Sequence, residues 1–547
     1  MPHAVSSELA VVSLADGSDA PIDMVGMSRD ERLRLARRID WRFLLSDPRL
    51  RRVGLGGRPD DELAAALDRA ILDERRREGG VHRSGGDAVD GETVVVSGRF
   101  DPGVVAAAST VAGPHDRLVV EIDRSFLRGH GPSIPAAAAR IARTLIDDGW
   151  ATRIWWAWPQ RTGATAWVAT DDRVAIRALM TRRFPSGPLR IAGGIAASGV
   201  GRRILETLAP SLTVIAQRAA DGASRPRPFS GPERGADRMG LLLLTPGFRA
   251  SAHVVALHIN GATGHVAEVV KVARLPDDQG PAREGAILAR LAALSPTKGR
   301  WPAPTGTTGF DGGWPSVGET SLIGRPLSPP MVRADARGAS VHIERLLEEM
   351  PIGPASSRAM PVRERLSSAV TTIRAIAEGP GEELRSLADR AAAVLTSLDA
   401  VELPVVFEHG DPAHPNLILL EDGRLGAVDW ERGEPDGLPL HDLTIALAYV
   451  AAAERGATEA RAQASAFANA VRDPRGWAAP ALAGAADRLD IDGRLVPPLM
   501  VAAWTRSLAW LVTALGLSGS DPAAIRWLMT NRAVAMWQTS LAMAEAS

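Results

Sequence analysis

The segment from His409 to Glu431 constrains this chain more than any other. It reads His409-Gly410-Asp411-Pro412-Ala413-His414-Pro415-Asn416, then an apolar run from Leu417 to Leu420, then Glu421-Asp422-Gly423-Arg424. A second apolar run, Leu425 to Val428, leads into Asp429-Trp430-Glu431. Two short apolar runs joined through Asp-Gly predict a β-hairpin, because that dipeptide supplies the positive φ angles of a tight turn. A hairpin folds the chain back. Asp429, at the end of the second strand, is therefore expected beside Asn416, which precedes the first. Asp411 sits in the loop before the hairpin, where its side chain can face a cleft.

Asp and Asn ahead of a hairpin are common turn residues when taken singly. The ordered set carries more. Phosphoryl transfer needs one carboxylate to orient and deprotonate an attacking hydroxyl, and hard oxygen ligands to hold Mg²⁺ against a triphosphate. Asp411, Asn416 and Asp429 are residue types of that kit, in one short stretch.

Composition sets the frame around this segment. At 547 residues the chain is too long for one ordinary core, and roughly two to four compact units are expected. Its 63 Lys and Arg against 64 Asp and Glu give a net charge of -1. No global basic field attracts nucleic acid or an anionic membrane, so no nucleic-acid partner is expected. The chain has no cysteine, which excludes disulfides, thiolate nucleophiles and cysteine-containing zinc sites and suits a cytoplasmic setting. Met1 to Pro21 carries Glu8, Asp16 and Asp19 and does not read as a signal peptide. The apolar stretch Val496 to Leu517 is broken by Arg506 and opens on Pro497-Pro498. It is expected to be a buried helix, not a membrane span.

The clearest break in the chain is Ala219 to Gly240, rich in Gly, Pro, Arg and Ser, which reads as a linker between domains. Before it, short β-branched runs (Thr93 to Ser97, Arg117 to Ile122, Thr152 to Trp158, Ala164 to Ala169, Leu212 to Ala216) alternate with helical patterns (Asp60 to Arg77, Ala136 to Asp147, Val200 to Leu208). Strands alternating with helices predict an α/β domain with Rossmann-like layers over 1–218. After the break, Leu241 to Thr245, His253 to Asn260 and His265 to Ala273 read as three strands, followed by a helix from Ala282 to Leu294. A strand pair around Pro304 to Phe310 and Trp314 to Glu319 completes a β-rich lobe over 241–327, and a mainly helical lobe over 328–547 follows.

The segment His409 to Leu443 resembles the catalytic core of the aminoglycoside phosphotransferase and choline kinase family, relatives of protein kinases. That family reads His-Gly-Asp, four residues, Asn, a hairpin and Asp, and this chain matches it at His409, Gly410, Asp411, Asn416 and Asp429. Trp430 and Glu431 continue the match, as do Pro439, Asp442 and Leu443. The resemblance implies a bilobal protein-kinase-like fold of α+β class over the second half. It implies Asp411 as catalytic base and Asn416 and Asp429 as Mg²⁺ ligands, with His409, Gly410 and Asp442 as structural members of the motif. It further implies that Lys271, central in Glu268-Val269-Val270-Lys271-Val272-Ala273, contacts nucleotide phosphates and that Glu284 in the next helix pairs with it. Val317 to Ile323, with Val317 and Glu319, corresponds to the hinge that offers backbone groups to a nucleobase, and Gly324-Arg325-Pro326-Leu327 fits the family's Gly-x-x-Leu.

No G-x-G-x-x-G precedes Lys271. Pro246 to Ser251 and Gly261 to Gly264 are both turns that could cover phosphates, and order along the chain favours the earlier one. Only twelve residues separate Asp429 from Asp442. This leaves little room for the long activation segment of protein kinases, and it favours a small-molecule acceptor.

The expectation is a Mg²⁺-dependent transfer from ATP or GTP to a hydroxyl of a sugar, amino sugar or amino alcohol. A pseudokinase-like nucleotide-binding scaffold is the alternative, and the missing glycine loop is its support. A third reading places a methyltransferase-like activity in the first domain, where Val94 to Ser97 runs into Gly98-Arg99-Phe100-Asp101-Pro102-Gly103 and Glu121 and Asp123 end the next strand. A lone glycine after a strand is little support for it. Oligomeric state is not legible.

Overall fold

The computed structural model describes residues 12–13, 27–57, 60–80, 93–97, 105, 116–123, 133–160, 163–183, 210–218, 239–247, 251–294, 299–306, 314–351, 360–378, 381–399 and 401–547. Residues 219–238 of the expected linker, the expected helix Val200 to Leu208, the loop after Ser97, residues 248–250 and residues 307–310 lie outside them. The chain forms two compact units. One comprises 1–282 and 305–319, and the other 283–304 and 320–547.

The first unit is built on one sheet of eleven strands, β1 (Val12–Ser13), β2 (Val53–Gly57), β3 (Thr93–Ser97), β4 (Arg117–Asp123), β5 (Trp150–Trp158), β6 (Ala166–Ala169), β7 (Ser211–Arg218), β8 (Met239–Leu244), β9 (His253–Asn260), β10 (Val266–Ala273) and β11 (Ser316–Thr320). Their order is β1-β2-β3-β4-β7-β5-β6-β8-β9-β10-β11. Residues 1–218 and 241–327 were expected to be separate domains on either side of a linker. The sheet instead runs on across it, because Ala166, Trp167 and Val168 of β6 pair with Leu244, Leu243 and Leu242 of β8. The composition of a connection reports its exposure. It does not report whether the strands on either side of it pair.

The layering also differs from a Rossmann arrangement. β2, β3 and β4 are parallel neighbours, but β7 is antiparallel to both β4 and β5. β5 and β6 form an antiparallel pair, joined by a connection far too short for the crossover that a parallel pair needs. The buried β-branched runs reflect covering on both faces, which a mixed sheet provides as well as a parallel one.

Side chains alternate across that sheet. Val94, Val96, Leu118 and Val120 face one core with helices α3 (Ile134–Asp147) and α4 (Arg173–Arg183), through Ile141, Leu145, Ile176 and Leu179. Val95 and Val119 face a second core with α1 (Arg29–Arg38) and α2 (Asp61–Gly80), through Leu35, Leu63, Leu67 and Ile71. Ser28 starts α1 with a capping box. Its hydroxyl accepts from the Glu31 N–H, and its own N–H donates to the Glu31 carboxylate, which satisfies two N-terminal donors. The helix after β10 is α5 (Gly280–Leu294).

The second unit is mainly helical around one large core. Its centre is α10 (His441–Arg455), buried from His441 through Ala453. A helix apolar on all sides belongs inside. The other described helices are α6 (Pro329–Ala334), α7 (Ala336–Glu349), α8 (Val362–Ala377), α9 (Glu382–Leu395), α11 (Ala460–Arg472), α12 (Ala478–Arg488), α13 (Val496–Leu515), α14 (Pro522–Met529) and α15 (Arg532–Ala544). By length and composition alone, the stretch that contains α13 is apolar enough to cross a membrane. In this fold Leu499 to Thr505 are buried in the unit's core.

Short strands carry the motif segment. β12 (Gly324–Pro326), β16 (Leu417–Leu420) and β17 (Leu425–Ala427) form a three-stranded sheet, and β13 (Met360–Pro361) pairs with β14 (Glu402–Leu403). β15 (Val406–Glu408) pairs with β18 (Glu434–Gly437). The Asp-Gly hairpin has formed, with Gly423 at φ 79° and Leu417 opposite Ala427. Gly324 abuts β16 so closely that a Cβ would lie 2.4 Å from the Leu419 carbonyl oxygen.

Candidate active site

β15 delivers the chain to His409, whose ring is wholly buried. Its Nδ1 accepts from the Asp411 N–H at 3.2 Å, so its Nε2 carries the proton and donates to the Val428 carbonyl at 2.9 Å. The ring lies 4.5 Å from that of Trp430. His409 thus ties the loop before the hairpin to the residue before Asp429, and both ring nitrogens serve that purpose.

Gly410 has φ 85°, and a Cβ there would meet the Arg432 carbonyl oxygen at 2.5 Å. No other residue fits both limits. Asp442, in the first turn of α10, accepts from the backbone N–H of His409 at 2.6 Å and of Gly410 at 2.9 Å.

Asn416 is buried, and three bonds fix it. Its backbone N–H donates to the Ala413 carbonyl at 2.7 Å, its side-chain Nδ2 donates to the Asp411 carbonyl at 3.1 Å, and its own carbonyl accepts from the Val428 N–H at 2.9 Å. The last bond sets Asn416 beside the chain just before Asp429, as hairpin closure requires. Asp429 has φ 72°, rare for a residue with a side chain, and the Trp430 N–H after it donates to Glu284 Oε1 at 2.8 Å. The structure therefore gathers Asp411, Asn416, Asp429, His409, Gly410, Asp442 and Glu284 around one loop and hairpin.

Lys271, Val317 and Glu319 belong to the sheet unit. Lys271 is buried on β10, and its Nζ lies 3.8 Å from Glu319 Oε1 on β11. The side chain of Glu319 thus meets Lys271, a contact the hinge assignment did not include. The Gly318 carbonyl accepts from the Thr305 N–H at 2.9 Å. Val317 is buried in the strand.

With Asn416 Nδ2 donating, Oδ1 of the amide is turned the other way, and the donor set of an amide oxygen and a carboxylate suits a hard cation such as Mg²⁺. Among the described residues, the group Glu408, His441 and Asp442 is also compact enough to hold a metal ion. Its oxygens are already engaged. Asp442 holds the two loop N–H groups, and Glu408 accepts from the Leu438 N–H at 2.9 Å and from Arg506. His441 Nε2 stands 3.5 Å from Glu408 Oε1. Burial pushes the His441 pKa down to about 4. Burial, with the Glu408 charge, pushes Asp442 up to about 8. Burial also raises Glu408, but His441 and Arg506 more than offset it, and its pKa lies below the usual carboxylate value.

Sequence reasoning missed Glu408 and Arg506. The available signal was Arg506 itself, a charge inside an apolar helix that demanded a buried partner. It also missed the groups around Asp411. Arg432 Nη1 lies 3.3 Å from Asp411 Oδ2, and the Arg432 guanidinium lies 3.3 Å from the centroid of the Trp510 ring. Both come from packing that local patterns do not encode.

Residues 250–482 match the model of the phosphotransferase enzyme family. That segment contains the whole motif, and its relatives are small-molecule kinases and phosphotransferases. Similar solved structures include an ethanolamine kinase of Plasmodium vivax, with 11% identity over 57% of this chain and 86% of that one and a TM-score of 0.37. A choline kinase of Streptococcus pneumoniae shows 12% identity over 56% and 94%, with a TM-score of 0.32. A macrolide 2'-phosphotransferase of Brachybacterium faecium shows 19% identity over 55% and 91%, with a TM-score of 0.31. No curated protein matches the chain.

Proposed function

We propose that this protein transfers the γ-phosphoryl group of a nucleoside triphosphate, ATP or GTP, to a hydroxyl of a small molecule in a Mg²⁺-dependent reaction. The observation that carries this reading is the fixed relation of Asp411, Asn416 and Asp429. One histidine ring and one backbone bond from Asn416 set all three around a single turn of chain.

Asp411 accepts the acceptor's hydroxyl proton. The hydroxyl oxygen forms a bond to the γ-phosphorus, the bond from that phosphorus to the β,γ-bridging oxygen breaks, and the nucleoside diphosphate leaves with that electron pair. Asn416 and Asp429 are the residues that would hold Mg²⁺, which when bound neutralises charge on the phosphates. Lys271, positioned by Glu319, contributes a cation for the nucleotide phosphates. His409, Gly410 and Asp442 hold the loop so that Asp411 needs little reorganisation, which is where most of such catalysis resides.

Incubation with Mg²⁺-ATP or Mg²⁺-GTP and a wide panel of hydroxylated small molecules tests the reading. Acceptor-stimulated release of nucleoside diphosphate, with phosphate recovered on the acceptor, is expected. Tight nucleotide binding without transfer to any acceptor would favour a scaffold.

A further inference from the structure

Helix α13 carries Arg506 and Trp510 four residues apart, on one face. Arg506 pairs with Glu408 at the end of β15, the residue before His409. Trp510 lies under the Arg432 guanidinium, 3.3 Å from guanidinium carbon to ring centroid, a cation–π contact that holds the plane of the group. Arg432 Nη1 in turn lies 3.3 Å from Asp411 Oδ2. All of these residues belong to the second unit. The helix therefore reaches the Asp411 loop by two routes, one through the strand that leads into it and one through the carboxylate itself.

Arg432 is held at both ends. Its backbone packs so closely on Gly410 that a Cβ there would lie 2.5 Å from the Arg432 carbonyl oxygen and 2.7 Å from the Arg432 Cβ. The side chains of Arg432 and Asp411 are both partly buried, at 23% and 30% exposure, so solvent screens them less than a surface pair. Among the described residues no hydrogen bond reaches the Asp411 carboxylate, and the ion pair is what orients it. Asp429, three residues before Arg432, brings a second carboxylate to the same turn. Arg432 is thus a counter-ion among acids, not a source of excess positive charge. Phosphoryl transfer leaves the protein mainly positioning and charge stabilisation to supply, so the direction in which Asp411 points carries much of its effect.

We propose that Arg432 and Trp510 are positioning residues for Asp411. Trp510 fixes the Arg432 guanidinium, Arg432 holds Oδ2 of Asp411, and Oδ1 is left to take the proton of the acceptor hydroxyl. The inference rests on the reading of Asp411 as the base and adds two residues that act through it without touching substrate.

The test uses the full-length protein, Mg²⁺-ATP or Mg²⁺-GTP, and the best acceptor from a wide panel of hydroxylated small molecules. Arg432→Gln should lower kcat by about 10- to 100-fold, the scale of a misplaced catalytic group. The KM values of acceptor and nucleotide should stay within about twofold, because no substrate contact is lost. Arg432→Lys keeps the charge without the planar stack and should recover part of the loss. Trp510→Leu should lower kcat in the same way, and Trp510→Phe, which keeps an aromatic face, should do so less. Because the ring acts through the guanidinium, the double variant Arg432→Gln, Trp510→Leu should be no slower than Arg432→Gln alone. Thermal melting confirms that each variant is folded. A raised acceptor KM at unchanged kcat overturns the inference and assigns Arg432 to acceptor binding. Losses that multiply in the double variant also overturn it, because the two residues would then act separately. Wild-type kinetics in Arg432→Gln overturn it outright. In all three cases the phosphotransferase reading stands. Transfer by the wild-type protein to no acceptor removes that reading itself, and this inference with it.

Discussion

Glu284 and Trp430 are joined by a 2.8 Å hydrogen bond in which the backbone N–H of Trp430 donates to Glu284 Oε1, one residue beyond Asp429. Both residues are buried. The carboxylate on α5 thereby anchors the turn that presents Asp429. Glu284→Gln keeps an acceptor oxygen, whereas Glu284→Ala leaves a buried N–H unsatisfied, which costs about 1–3 kcal/mol. Glu284→Ala should therefore weaken Mg²⁺-nucleotide binding and lower stability, and Glu284→Gln should do so less. Calorimetry and thermal melting of the two variants check this. Equal effects would remove the anchoring role.

Gly410 admits no side chain. Its φ of 85° and the 2.5 Å approach of a would-be Cβ to the Arg432 carbonyl require the backbone to move. Gly410→Ala should cost at least about 1 kcal/mol of stability from the conformation alone. It should also lower kcat more than the nucleotide KM, because the displaced loop carries Asp411. Steady-state kinetics and denaturant melts would show both.

His441 makes stability depend on pH in a calculable sense. Its folded pKa, about 4, lies below the unfolded value of about 6.5. The unfolded chain therefore binds the extra proton between those values. The contribution of neutral His441 is fully present above pH 6.5 and is lost as pH falls towards 4, to an extent of up to roughly 3 kcal/mol. Asp442, raised to about 8, works in the opposite direction. Its contribution is present at low pH and is lost as pH rises towards 8. The informative quantity is thus the difference in unfolding free energy between wild type and His441→Gln. It should move in favour of wild type as pH rises from 4 to 6.5 and be flat above.

Lys271 and Glu319 are a buried pair across β10 and β11, 3.8 Å apart. Lys271→Ala should raise the nucleotide KM, and it should destabilise by up to about 3 kcal/mol because Glu319 is left with one cation fewer. The double variant Lys271→Ala, Glu319→Gln should regain stability without regaining activity. Kinetics that track stability in both variants would make Lys271 purely structural.

The sequence-legible part of the molecule is what lies close in sequence. The turn at Asp422-Gly423, the strands on either side and the spacing of Asp411, Asn416 and Asp429 could be read because hairpin closure is a local event. β8, β9, β10 and α5 were legible from periodicity for the same reason. The pairing of Trp167 with Leu243 was not, because the strands of one sheet share no pattern that names their partners. Arg432 meets Trp510 of α13, far from it in the chain. Nothing in the residues around Asp411 announces its ion pair with Arg432 or the ring that Arg432 stacks on. The side-chain contact of Glu319 with Lys271 was not legible either, because strand alternation sets the face a residue lies on but not its partner on the next strand.

The account stands on Asp411 as the base, and one comparison measures that directly. Asp411→Asn preserves size and removes the carboxylate, and a positioned general base contributes about 10²- to 10⁴-fold. Turnover with the best acceptor should fall by that factor, while Mg²⁺-nucleotide affinity, measured by calorimetry on the same preparation, should remain near wild type. Asp429→Asn should lose that affinity as well as turnover, because a hard cation needs the anionic oxygen. Undiminished turnover by Asp411→Asn would contradict the central claim.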